Sequence, residues 1–186
     1  MRVFRIIHNT LLAAVLAMSA GTGAALAQSE RLDELFDRLQ MPDLSNWEIV
    51  EDEIYQRWSI SGSASADYLL MRGREALEAG DLDAALDHLT ALTDHAPDFA
   101  EGWNARATAY YRLNLYGPSI ADVQRVLALN PRHFGALTGL GMMLEEMGEL
   151  EAALVAFETA QSIHPHRPDI SQAVDRLNRM LGGETL

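Results

Sequence analysis

Apolar residues along this chain fall at intervals of three and four, the spacing that gathers them on one face of a helix. Leu32, Leu35, Phe36 and Leu39 make such a stripe over Ser29 to Gln40, and Met41-Pro42-Asp43 breaks it. A second helix is expected from about Leu44 to Trp58, with Ile49, Ile54 and Trp58 among its apolar residues and five acids between Asp43 and Glu53. From Ala66 onward the stripes come in pairs and repeat. Leu69, Gly73, Ala76, Gly80, Ala85 and Pro97 hold places in 66–99 that Trp103, Ala107, Tyr110, Asn114, Ser119 and Pro131 hold in 100–133. Leu137, Gly141, Leu144, Gly148, Ala153 and Pro165 hold the same places in 134–167, so each unit is 34 residues long. A last stripe, Ile170, Val174, Leu177 and Leu181, predicts a helix over Asp169 to Leu181, with Asp175, Arg176 and Arg179 off its apolar face and Gly182-Gly183 at its end.

Each recurring position has a physical reason. Gly73, Ala107 and Gly141 on the first helix of a unit, with Ala85, Ser119 and Ala153 on the second, let two antiparallel helices approach closely. Gly80 and Gly148 end the first helix where a positive φ is wanted, and Asn114 takes that place in the middle unit. Each proline stops the second helix, because it has no N–H to continue the ladder. On these residues and this 34-residue period the chain resembles the tetratricopeptide repeat family over Ala66 to Arg167.

The resemblance implies an all-α fold, a right-handed solenoid of three helix-turn-helix repeats (66–99, 100–133, 134–167). An N-terminal helical hairpin and loop (28–65) is expected to cover the first repeat, since an open solenoid end needs a cap. Residues 168–186 supply a C-terminal capping helix and tail, with 184–186 frayed. Within 28–65, Ser59 to Ser65 reads as a connector whose Ser65 caps the next helix, or alternatively as a recognition loop. Trp58 reads as a core anchor.

Members of the family are non-catalytic scaffolds that hold a peptide or a partner helix in the concave face made by the first helices. Carried over by position, that face presents Leu70 and Arg74 from the first unit, Asn104, Thr108, Tyr111 and Arg112 from the second, and Thr138 and Met142 from the third. Asp67, Leu77, Glu101, Glu145 and Glu146 complete it. Tyr110 fills the repeat's inward-facing eleventh position, so Tyr111 is expected to be exposed and, with Arg112, to concentrate binding energy. The chaperone-binding subgroup grips a C-terminal carboxylate with Lys and Asn at defined groove positions. Leu70, Thr108, Thr138 and Met142 stand there instead, which does not favour that activity.

The start of the chain changes the picture of where this happens. Arg2 and Arg5, an apolar run from Leu11 to Met18, and Ala25-Leu26-Ala27 have the form of a secretory signal peptide over residues 1–27, with the mature chain beginning at Gln28. The apolar run is broken by Gly21 and Gly23 and is too short for a spanning helix. Export to a bacterial periplasm is therefore expected, with no stable membrane span after cleavage. The formal charge is −13, and cleavage removes two arginines and no acid, leaving −15. All 14 basic residues are arginines. Such a balance argues against nucleic acid and anionic lipid and favours basic or neutral protein partners.

Candidate chemistry adds little. The chain has no cysteine, no glycine-rich phosphate loop and no zinc-protease helix motif, and its acids lie at helix-surface spacing. His164 and His166 flank Pro165, and His133 ends the second unit, but loop positions of this kind are ordinary places for histidine, so neither a metal nor a cofactor is expected. Arg72 and Arg106 both occupy the seventh position of a repeat, where the family usually carries an apolar residue. An internal ion-pair ladder with Asp122, Glu101 or Asp67 is the first reading of them, and a ligand-facing role the second. A self-assembling structural unit and an accessory subunit of an envelope enzyme stand as alternatives to the scaffold.

Overall fold

The computed structural model describes residues 30–183, and the signal-like segment and the last three residues lie outside them. Among the described residues the chain forms nine helices and no strand. They are α1 (30–39), α2 (Trp47–Trp58), α3 (Ala64–Ala79), α4 (Leu82–His95), α5 (Ala100–Arg112), α6 (Tyr116–Leu129), α7 (Phe134–Glu146), α8 (Leu150–Ile163) and α9 (Pro168–Leu181). None of them is long and apolar enough to cross a membrane.

The helices α3 to α8 stack as three antiparallel pairs, α3·α4, α5·α6 and α7·α8, and α9 packs on α8. A Cβ built on Gly73 would sit 2.5 Å from Leu89, and one on Gly141 would sit 2.8 Å from the Phe157 ring, so both pairs close over a hydrogen atom. In the middle pair the close contact is polar, with the Ser119 hydroxyl donating to the Ala107 carbonyl at 2.7 Å. The turns within pairs run through Gly80, Asn114 and Gly148 at φ 75°, 58° and 82°. Asn114 is the costlier choice, and asparagine is among the few side-chain-bearing residues that tolerate that region.

The interior is divided into clusters. One joins α3, α4 and α5 around Leu70, Leu77, Leu89 and Leu92, and another joins α7, α8 and α9 around Leu137, Phe157, Ile170 and Leu177. Between them Ala107, Val123, Val126, Ala136 and Met143 pack α5 and α6 on α7.

The N-terminal hairpin does not cover the first repeat. Leu35, Phe36, Leu39, Val50 and Ile54 form a cluster with Phe134, and Ile163 packs against it, so α1 and α2 lie along the edge of the second and third units. Gln40 donates to the carbonyls of Ser162 and Ile163, His166 bonds the Leu39 carbonyl, and the Arg132 guanidinium sits 4.2 Å over the Phe36 ring while pairing with Asp33. The hairpin's aromatic face packs there on the rings of Phe134, His133 and His164. Tyr68 and Met71 on the first unit's outer face stay 58% and 46% exposed, whereas Gly102 and Ala105, their counterparts in the second unit, are buried against the preceding pair.

Other details of the hairpin differ from expectation. The second helix begins at Trp47 rather than near Leu44, and its buried aliphatics are Val50 and Ile54, with Ile49 64% exposed. The cap of α3 is Ser63, which accepts from the Ala66 N–H, not Ser65. Asp67 explains the shift, because its carboxylate takes the Ser61 N–H at 2.8 Å and the Ser61 hydroxyl at 2.6 Å and so fixes the turn two residues early.

Candidate protein-interaction groove

The concave side is built on the first helices α3, α5 and α7, and its candidate residues have separate fates. Leu70, expected on the binding surface, is 2% exposed and belongs to the core, where its side chain joins α3 to α4 and α5. Thr138 is also largely buried, its hydroxyl donating to the Phe134 carbonyl at 2.8 Å, though it still borders the open groove. Arg74 spans the units, donating to the Ser59 hydroxyl at 2.9 Å and to Glu101. Asn104 donates to the same Glu101 oxygen at 3.2 Å. Thr108 is exposed, and Met142 is 42% exposed.

Tyr111 and Arg112 are not free side chains. Tyr110 and Tyr111 differ less than expected, since the end of α5 is covered from two sides and Tyr111 is half-buried rather than exposed. The Tyr111 hydroxyl donates to Glu146 at 2.7 Å, Tyr116 donates to the other oxygen of that carboxylate, and the two rings stack at 6.0 Å. The hydrogen bond to Glu146, helped by burial, pushes the Tyr111 phenol up to about 12, and the two phenols hold the Glu146 carboxyl below its ordinary value. Arg112 donates to the Leu77 carbonyl at 2.6 Å, which also accepts the Gly80 N–H at 3.1 Å, and so ties α5 to the end of α3. Both residues therefore shape the wall of the groove as well as facing it.

The arginines at the seventh position part company. Arg106 makes a two-armed pair with Asp122 at 2.7 and 2.8 Å and reaches Thr93 at 2.8 Å, while Arg72 pairs with Glu75 at the surface. There is no ladder between them. The deep carboxylate is Glu101, held by Arg74, Asn104 and His133 Nε2 at 3.0 Å. Burial raises its pKa, but the bond from His133 and the charges around it outweigh that, so it lies below the ordinary carboxylate value. His133 Nδ1 accepts the Ala136 N–H at 3.1 Å and thereby caps α7. With Nδ1 an acceptor, Nε2 carries the proton it donates to Glu101.

Two hollows flank α7 on this side. One, of about 480 Å³, lies between α7 and α9 and is lined by Thr138, Met142, Phe157 and Ala173 with Glu145, Glu146, Asp169 and Arg176. The other, about 60 Å³, lies between α5, α6 and α7 and includes Asn104, Thr108, Tyr111, Gly139 and Met143. Arg176 clasps Glu145 through two bonds of 2.9 and 2.8 Å, which fixes one side of the larger hollow.

This architecture matches known proteins in sequence as well as in shape. The tetratricopeptide repeat pattern matches residues 70–122 and 119–168, more than half of the chain. This chain belongs to the tetratricopeptide repeat family. A TPR repeat-containing protein of Rhizobium etli is 35% identical over 163 residues, 86% of this chain and 79% of that protein. Among solved structures, the first TPR of Spaghetti (RPAP3) bound to the HSP90 peptide SRMEEVD superposes with a TM-score of 0.62 at 24% identity, over 64% of this chain and 95% of the other. A point mutant of MamA superposes with a TM-score of 0.54 at 18% identity, over 86% and 90%. At such identities the two structures share the fold with this tetratricopeptide protein.

Arg176, Asp169 and Ala173 lie past the three complete units, which end at 167, and the sequence alone marks them only as part of a cap. They sit on the closing helix α9, which packs on α8, and the 34-residue period gives Arg176 the register place that Met142 holds in the third unit. The available signal was the period, since 74, 108, 142 and 176 are each 34 residues apart. His133 and His164 are fully buried and meet Glu101 and Glu51. Among the described residues no group of three or more His, Cys, Asp or Glu side chains is placed to hold a metal ion.

Proposed function

We propose that this protein is a non-catalytic protein-interaction scaffold of the bacterial cell envelope that holds a peptide or partner helix against α7, in the part of the concave side left open by the hairpin. The observation that carries the reading is the hollow beside Met142, where an apolar patch is ringed by fixed charges. An apolar cleft with a few oriented polar groups is the usual form of a binding site. The Spaghetti domain, which shares the fold, holds an HSP90 peptide, and that supports the mode of binding. Glu146, Asp169 and the overall negative charge favour a partner that is basic or neutral beside its apolar anchor. The envelope setting rests on the signal-like segment 1–27.

A photo-crosslinking residue at position 142 of the exported protein tests the groove, with position 155, 63% exposed on α8, as the control. The partner is expected to be captured from 142 and not from 155. Met142→Glu should weaken capture by about tenfold, or roughly 1.4 kcal/mol. Equal capture from both positions would move the site off the concave side.

A further inference from the structure

The rim covered by α2 has the features of a second helix-binding site, filled by the chain itself. Trp58 stacks on the His133 ring at 4.3 Å and 22°, Tyr55 meets the Phe134 ring edge-on at 5.3 Å, and Trp47 meets the His164 ring edge-on at 5.3 Å. Trp47, Glu51, Tyr55 and Trp58 are spaced by four, four and three, so one face of α2 delivers three aromatic rings and a carboxylate. The receiving surface is shaped to that face. A Cβ on Gly135 would lie 2.5 Å from the Tyr55 hydroxyl, so the second position of α7 has no side chain where the tyrosine enters.

Three features make this contact separable. The buried polar atoms that lack a hydrogen bond among the described residues are Glu51 Oε2, Trp58 Nε1, both nitrogens of His164, and Arg57 Nε on α2 itself. Glu51 Oε2 and His164 Nε2 are 2.7 Å apart but off the hydrogen-bonding line. Buried groups left in this state lose their hydration without full return, which offsets part of what the apolar contacts contribute. The clusters that hold α3 to α9 together contain no residue of α1 or α2, which leaves the stack a core of its own. The connector runs through Gly62 at φ 82°, where the chain changes direction between α2 and α3.

We propose that α2 is an intramolecular ligand, and that the rim made by His133, Phe134, Gly135 and His164 takes, in its place, a partner's amphipathic helix carrying aromatic residues at this spacing and one carboxylate facing His164. Partner binding there and docking of α2 are mutually exclusive. The site is separate from the hollow beside Met142, so either can fail without the other.

The probe is a fluorescent peptide of residues 44–60, titrated into the full chain and into its Trp58→Ala variant, which loosens the resident helix and leaves the rim intact. The variant is expected to bind the peptide at least tenfold more tightly than the unaltered chain, a peptide with Trp58→Ala should not bind, and Met142→Glu in the protein should change nothing. If the folded variant binds no better than the unaltered chain, the proposal is wrong. Hydrogen exchange of the unaltered chain is a second measurement, and it does not depend on the variant's folding. Amides of α2 should exchange at least tenfold faster than the slowest amides of α5 and α7, and equal protection would show that the hairpin opens only with the whole fold.

Discussion

At the scale of single residues, the small side chains between paired helices carry the most definite expectations. Gly141 is closed in by the Phe157 ring, whereas a Cβ on Gly139, two residues away in the same helix, would meet nothing within 4 Å. Gly141→Leu should therefore cost roughly 1 to 3 kcal/mol or more through overpacking. Gly139→Ala should be neutral or stabilising by up to about 1 kcal/mol, because alanine is the better helix former. Thermal melts of the two variants check this, and similar melting temperatures would show that helix spacing does not depend on Gly141. The periodicity exposed Gly141 as a contact but named Ala153 as its neighbour, and the structure puts Phe157 there. Leu70 shows the opposite limit: its place in the repeat marks it as groove-facing, and only the packed α4 and α5 show it to be core. Tyr111 and Arg112 were legible as groove residues, but their bonds to Glu146 and Leu77 cross about one repeat length and no local pattern reports them.

At the scale of elements, the repeat helices were legible because each carries its own apolar stripe between recurring turn residues, even where, as in α5, α6 and α8, no side chain caps the start, and α2 was less so because its register is set by contacts elsewhere. Glu101 shows how one carboxylate ties elements together: it sits in the first turn of α5 and is reached by Arg74 from α3 and by His133 from the start of α7. Its pKa is depressed below 4.5 in the folded protein, so the folded state favours the ionised form. The stabilisation is fully present above the unfolded value and is lost as the pH falls through the folded one, below about 4.5. Glu101→Gln should lower the melting temperature at pH 7, and the gap from the unaltered protein should narrow as the pH falls below 4.5. A melting gap that stayed constant on acidification from neutral pH to well below that value would show that the ionised carboxylate contributes nothing to the fold. His133 was noticed in the sequence for its loop position, but its role as the cap of α7 and donor to Glu101 depends on a residue 32 positions away.

At the scale of the whole molecule, the order of parts along the chain does not give their order in space. Mass spectrometry of the exported protein is expected to find Gln28 at the N terminus, and a chain that still began with Met1 would remove the basis for the envelope setting. The amino-acid sequence by itself determined the helical class, the 34-residue units, the turns and the close helix pairs, because each of these is fixed by residues within one or two turns of helix or by a strict period. Where the hairpin lands was decided only by tertiary structure. An amphipathic hairpin states that one face must be buried and not against what, and the structure puts that face on Phe134, His133 and His164 rather than on the first unit that follows it in sequence. The same holds for the groove: the first helices were marked by their place in the repeat, but its far wall comes from α9, where Arg176 holds Glu145 across 31 residues in a contact that no local pattern reports.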